Sequence, residues 1–162
     1  MLKGLVLMAV WLGVVSPNLS HAQILKDKVM IGRVEWVEVP ELKVKMRARI
    51  DTGAKTTSMH AYKIEELQRE DGLWIKFYTR TEEGTEIEMT RKVESTQKVA
   101  NATGPTTRRY VIREKLKLGS VTREISLNLN DRDKMAYKLL IGRNFLLGHF
   151  TVDVARSHVT GD

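Results

Sequence analysis

Residues 43–50, Lys43-Val44-Lys45-Met46-Arg47-Ala48-Arg49-Ile50, alternate charge with apolar bulk and then stop at Asp51-Thr52-Gly53-Ala54. Apolar side chains on every second position give the period of a strand with one buried face, so Asp51 is expected at a strand end. Gly53 lets other backbone approach the segment closely. Short alternating runs separated by turn residues continue along the chain. Strands are expected at Val29–Val39, Lys43–Ile50, Leu73–Thr79, Glu86–Arg91, Gln97–Asn101, Arg108–Leu118, Val121–Leu129 and Tyr137–Ile141. Turns fall at Glu82-Glu83-Gly84, Asn101 to Pro105 and Leu118-Gly119-Ser120. Only Ser58–Arg69 reads as able to carry a helical turn or two. The expected class is all-β.

A carboxylate at a strand end, followed by a hydroxyl residue and a glycine, suits a group that holds a water beside a peptide bond. About ninety positions later the chain runs Leu139-Leu140-Ile141-Gly142-Arg143-Asn144-Phe145-Leu146. Together the two segments resemble the retropepsins, the single-domain aspartic peptidases typified by retroviral proteases. Their signature is an apolar strand, Asp-Thr-Gly-Ala, a flap hairpin, then a Gly-Arg-Asn or Gly-Arg-Asp segment. Gly32-Arg33-Val34-Glu35-Trp36-Val37, Val39-Pro40-Glu41-Leu42 and Asp51 through His60-Ala61 are similar to a bacterial branch commonly labelled an ATP-dependent zinc protease. The resemblance covers about Lys28 to Val154. It implies a closed acid-protease barrel with one short helix, beginning near Asn144, and a last strand at Phe150–Val154.

Met1–Ala22 has a single early charge at Lys3, an apolar stretch from Leu5 to Val15, and small residues at Ser20 and Ala22. That pattern reads as a secretory signal peptide cleaved before Gln23. It predicts a periplasmic or secreted domain at 23–162, with no membrane attachment after cleavage. The chain has no cysteine, which removes disulfide staples and a cysteine-linked lipid anchor. Without Lys3 the mature segment holds 26 basic and 20 acidic residues, a net charge of +6 that would attract acidic peptides or anionic surfaces. The charges alternate along strands, as on a solvated face, and do not cluster as in a nucleic-acid site.

Peptide hydrolysis by carboxylates needs two of them close together, one ionised and one protonated. The chain has one Asp-Thr-Gly. Its partner is therefore expected to be Asp51 of a second copy across a twofold axis, giving a homodimeric endopeptidase that acts on a peptide or protein. Asp131 and Asp133, in a polar loop, and Asp153, in the final strand, read as ordinary polar residues. The resemblance further implies that Thr52 locks the two active-site loops across the dimer and that Gly53 offers its carbonyl to substrate. Ala54 stands where other members carry Ser or Thr, whose hydroxyl donates to the catalytic carboxylate. An activity profile set at higher pH than in the acid-adapted members follows. Gly104 stands where the flap tip would be, though a plain surface turn reads equally well. Retroviral members carry Asp after the Ala, paired to the Arg of Gly-Arg-Asn; this chain has Lys55. Arg143 would then find another carboxylate, such as Glu65 or Glu66, or the two cations would face a substrate acid group.

No cofactor is expected. Only His60, His149 and His158 remain after signal cleavage, without cysteine or a His-Glu-x-x-His helix, so no zinc site is called. His60 is expected to support the active-site loop from behind. No glycine-rich phosphate loop points to ATP. Asn101-Ala102-Thr103 fits a glycosylation acceptor, relevant only in a eukaryotic secretory pathway. Two other readings stand beside the peptidase: a retropepsin-fold module that binds extended peptides without catalysis, and a zinc-dependent peptidase.

Overall fold

The computed structural model of the protein describes residues 28–101 and 104–161. The expected signal peptide at 1–22 lies outside them, as do Ala102 and Thr103 of the Asn101-Ala102-Thr103 motif. The strands, in chain order, are β1 (Val29–Gly32), β2 (Val34–Val39), β3 (Val44–Ile50), β4 (Thr57–His60), β5 (Tyr62–Arg69) and β6 (Gly72–Arg80). They continue as β7 (Glu86–Asn101), β8 (Gly104–Leu118), β9 (Val121–Asn130), β10 (Leu139–Ile141) and β11 (Phe150–Asp153). A single helical turn, α1 (Arg143–Leu146), lies between the last two.

Six of these strands close into a barrel in the order β2-β3-β10-β4-β9-β8, and β8 returns to β2 through the Glu38–Lys117 pairing. Closure removes the free edges that an open sheet would expose. The expected fold class, an all-β acid-protease barrel with one short helix, is what the chain forms. The alternation of β3 places Met46 and Ala48 inside, at 1% and 0% exposure, while Lys45, Arg47 and Arg49 stay toward solvent. Met59, Leu127, Leu129, Leu139 and Ile141 fill the interior from the other walls. Phe145 of α1 seals one end and stacks on Phe150, ring centroids 5.5 Å apart, a burial that stabilises the fold by about 2–3 kcal/mol.

Beyond β8, strands β7, β6 and β5 extend the sheet antiparallel. The helical expectation for Ser58–Arg69 is corrected: the segment is β4 and β5. All four residues of β4 are buried, because it lies between β10 and β9 and packs on both faces, which erases the alternation that would have marked it. The expected break between Arg91 and Gln97 is also absent. There β7 runs on through an irregular register at Val93/Ser95, and its residues lose alternation because the hairpin leaves the barrel with both faces wet. Tyr137–Ile141 shortens to Leu139–Ile141, since Tyr137 belongs to the loop that precedes it. Val29–Val39 divides at Arg33, whose N–H donates to the Arg156 carbonyl at 2.8 Å and whose carbonyl accepts from Ile50 at 3.0 Å.

Glu35 explains why the C-terminal segment returns here. It is fully buried, and its carboxylate accepts from the N–H of Gly32, from the N–H of Val159 at 2.9 Å and from the Thr160 hydroxyl at 2.9 Å. A buried carboxylate with this many donors is fully satisfied and acts as a tie. The buried Glu114 is held by Arg91, whose Nε donates to it at 2.8 Å; desolvation pushes its carboxyl up against the pull of Arg91.

Candidate active site

Asp51 follows β3 directly, and its N–H donates to the Ile141 carbonyl at 2.9 Å, so the residue is fixed to the end of β10. The chain then turns tightly. Asp51 Oδ1 accepts from the backbone N–H of Gly53 at 2.9 Å and of Ala54 at 3.1 Å, which fixes the carboxylate plane. Oδ2 has no hydrogen bond among the described residues, and the side chain is half-buried. A carboxylate pinned on one oxygen and open on the other is arranged to hold a water or a second carboxyl group.

The two segments singled out from the sequence are clamped together. The N–H groups of Arg143 and Asn144 donate to the carbonyls of Ala54 and Lys55, at 2.8 and 3.2 Å. Thr57 Oγ1 accepts from the Gly142 N–H at 3.1 Å and donates to Asn144 Oδ1 at 2.9 Å, which also accepts from the Thr57 N–H at 2.9 Å. Asn144 Nδ2 completes the set by donating to the Ser126 carbonyl at 2.7 Å. At about 1 kcal/mol net for each bond, Asn144 holds the loop, the helix and β9 in one frame. Neither Thr57 nor Asn144 was picked out from the sequence in this role. The signal was present, since Asn144 closes Gly-Arg-Asn and Thr57 opens the next buried strand.

Arg143 differs from expectation. Its Nη1 donates to the carbonyls of Thr52 and Gly53, at 3.1 and 2.8 Å, and it reaches neither Glu65 nor Glu66. Those residues lie on β5 at the outer edge of the sheet, where Glu66 accepts from the Tyr110 hydroxyl at 2.6 Å. The guanidinium thus braces the loop through main-chain acceptors in place of the absent acid, and one lone pair of the Gly53 carbonyl is already engaged. Thr52 and Gly53 are exposed, as an approaching chain would require. Gly104 pairs with Asn101 near the end of the β7–β8 hairpin, whose two tip residues lie outside those described.

His60 is not behind the Asp51 loop. It ends β4 away from Asp51, fully buried, and its Nδ1 accepts from the Arg132 N–H at 2.9 Å, so it supports the loop before β10. Burial, then the charges of Lys138 and Arg80, push its pKa down. The ring is therefore neutral at pH 7, and the 3.7 Å separation from Asp131 is no ion pair. Asp133 faces Arg80 at 3.1 Å and Asp153 faces Arg156 at 3.2 Å. Among the described residues no three His, Cys, Asp or Glu side chains gather to hold a metal.

Beside the loop a groove of about 300 Å³ is lined by Lys55, Thr56, Gln97, Val111, Ser126 and Asn144. Val111 and Ser126 belong to the barrel strands β8 and β9, and Gln97 to β7 of the hairpin. Residues 30–162 match the family model described as RimB-like, retropepsin-like aspartic endopeptidase RimB. The chain belongs to the RimB-like family. It is 38% identical over 139 residues to a protein of Parasynechococcus marenigrum named "Probable alpha-L-glutamate ligase", and 34% identical to one of the same name from Desulfotalea psychrophila. Each alignment covers 83% of this chain and 30% of the ligase, so the RimB-like segment spans under a third of those proteins. The crystal structure of Lpg0085 from Legionella pneumophila, a protein of unknown function, superposes with a TM-score of 0.71 at 28% identity, covering 82% of this chain and 98% of that one.

A hydroxyl at position 54 would lie beside the carboxylate, since the Ala54 N–H already donates to Asp51 Oδ1. Ala54→Ser is therefore expected to move the acidic limb of kcat/KM down by roughly half a pH unit or more, because the new donor stabilises the ionised form. An unchanged or alkaline-shifted limb on the same peptide would show that residue 54 does not act on the carboxylate.

Proposed function

We propose that the protein is an aspartic endopeptidase, exported to the periplasm, whose catalytic pair is Asp51 and the Asp51 of a second copy. The observation that carries this reading is the clamp between the Asp51 loop and Gly142-Arg143-Asn144. A tight set of hydrogen bonds holds one half-exposed carboxylate still, with a groove of about 300 Å³ alongside. One carboxylate cannot be base and acid at once, and a twofold axis supplies the other. Thr52 locks the paired loops in this reading, Gly53 and Arg143 border the substrate strand, and the hairpin carrying Gly104 closes over it. Acidic stretches are the proposed substrates: the mature chain is net positive, and the ligases that contain a similar segment are named for glutamate.

Cleavage of an acidic peptide library should be stopped by a statine-containing inhibitor, which mimics the tetrahedral intermediate, and should survive a chelator. Inhibition by the chelator alone would assign the reaction to a metal, and peptide binding without cleavage would leave a binding module.

A further inference from the structure

A second cavity lies on the barrel wall where the C-terminal segment crosses β2 and β3. It holds about 400 Å³ and is lined by Arg33, Val34, Arg49, Tyr137, Ser157 and His158. It shares no lining residue with the groove beside the Asp51 loop. Val34 brings the set together. Its strand partner on β3 is Arg49, its carbonyl accepts from the His158 N–H at 2.8 Å, and Arg33 precedes it in the chain. Arg33 Nε donates to Ser157 Oγ at 3.3 Å, which turns that guanidinium toward the C-terminal segment. Tyr137 comes from the loop before β10, whose Leu140 pairs with Arg49 from the other side.

The segment that forms one wall is firmly seated. The Arg156 carbonyl accepts from the Arg33 N–H at 2.8 Å, and a Cβ added at Gly32 would stand 2.5 Å from that same oxygen, so the two stretches of backbone touch. The buried Glu35 binds Val159 and Thr160 beyond it. Between these ties His158 is held at φ 54°, the left-handed region that a residue with a Cβ enters at a cost, and its ring stacks on Trp36 with centroids 5.9 Å apart. An exposed residue braced in an unfavourable conformation marks a wall that is built and not a loose tail. The charges around it are of one sign. No Asp or Glu lines the cavity. Among the described residues neither Arg33 nor Arg49 has an ion-pair partner, whereas Arg80, Arg91, Arg108, Arg113 and Arg156 each have one. Two guanidiniums lining one cavity raise its potential, and an anion seated between them relieves their repulsion.

We propose that this cavity binds a phosphate group, free as inorganic phosphate or carried as a monoester on a small molecule. Its donors outnumber what a carboxylate uses. Arg33 keeps its two terminal nitrogens after Nε is spent on Ser157, Arg49 brings a whole guanidinium fork, and the Ser157 hydroxyl, which accepts from Arg33, still has its proton to give. The Tyr137 hydroxyl and the His158 ring add donors from two further stretches of chain. A phosphate monoester offers three terminal oxygens and a charge of about −1.5 to −2 at pH 7, where a carboxylate has two oxygens and a single charge. Two guanidinium charges match the phosphate and leave a carboxylate outnumbered.

Calorimetry on the full chain, with inorganic phosphate, glycerol phosphate and acetate as probes, tests the site. Physiological salt screens the general attraction of a net-positive chain for anions. Inorganic phosphate is expected to saturate a single site per chain and acetate to bind at least about tenfold more weakly. Glycerol phosphate separates the sources: binding as tight as that of phosphate names an ester, exclusion names the free ion, and either upholds the site. Arg33→Gln and Arg49→Gln should each weaken phosphate binding by about tenfold, and together they should abolish it. Both side chains are exposed, so these variants should melt with the parent. His158→Asn, which removes the imidazole but tolerates left-handed backbone, should weaken binding severalfold. Lys115→Gln, an exposed charge removed on β8, should leave it unchanged. Absence of saturable phosphate binding overturns the site, as does acetate binding as tightly as phosphate. Phosphate binding that survives the double arginine substitution, or that falls equally in Lys115→Gln, overturns it as well.

Discussion

Asp51→Asn is expected to lower turnover by about 10³-fold or more while leaving the melting temperature close to that of the parent. The carboxylate is the one group at the loop able to take a proton from water, and general-base action of this kind is worth 10²–10⁴-fold alone. The amide keeps the oxygen that accepts from the Gly53 and Ala54 N–H groups, so the loop geometry is retained. Asp153→Asn is the matched control, since Asp153 pairs with Arg156 on the surface and should cost nothing measurable in rate. Retained peptidase activity in Asp51→Asn would place the chemistry elsewhere.

Gly142→Ala is expected to cost about 3 kcal/mol and to lower the melting temperature by roughly 10 °C, with activity lost alongside. The glycine sits at φ −97° and ψ −179°, extended backbone that any residue adopts, so the penalty is one of space. An added Cβ would stand 2.7 Å from the Thr56 carbonyl carbon, 2.9 Å from its oxygen and 3.0 Å from the Ala54 carbonyl oxygen. All three are backbone atoms of the Asp51 loop. Relief requires pushing that loop off the Gly142–Asn144 turn, which breaks the clamp described above. A variant that melts within about 2 °C of the parent would show that the two segments are not held in register by this contact.

The parts of this molecule that were legible beforehand are those where one face of a strand is wet. β3 shows this most clearly: Lys45, Arg47 and Arg49 mark its outer face and Met46, Ala48 and Ile50 its inner one. β4 was not legible, because Thr57, Ser58, Met59 and His60 are buried on both faces and their mixture of polar and apolar types has no period. The Asp51 loop and the Gly142 turn could be associated because their residue types match a known pairing. The bonds that join them could not be foreseen, since they run through Thr57 and Asn144 from one backbone to another. Arg143 misled for a related reason. Charge arithmetic sought a carboxylate for it, whereas the fold supplied two carbonyls. Glu35 was invisible as a buried charge, because nothing in its neighbours along the chain distinguishes a buried tie from a solvated residue.

The proposal of a shared catalytic pair is tested most directly by mixing subunits. Wild-type and Asp51→Asn chains, unfolded together at equal amounts and refolded, would distribute at random between the two halves of a dimer. If each site needs both Asp51 carboxylates, only wild-type pairs are active, and activity falls to about one quarter of that of the same total protein as wild type. If each chain carries a complete site, half the activity remains, and the dimeric pair is wrong.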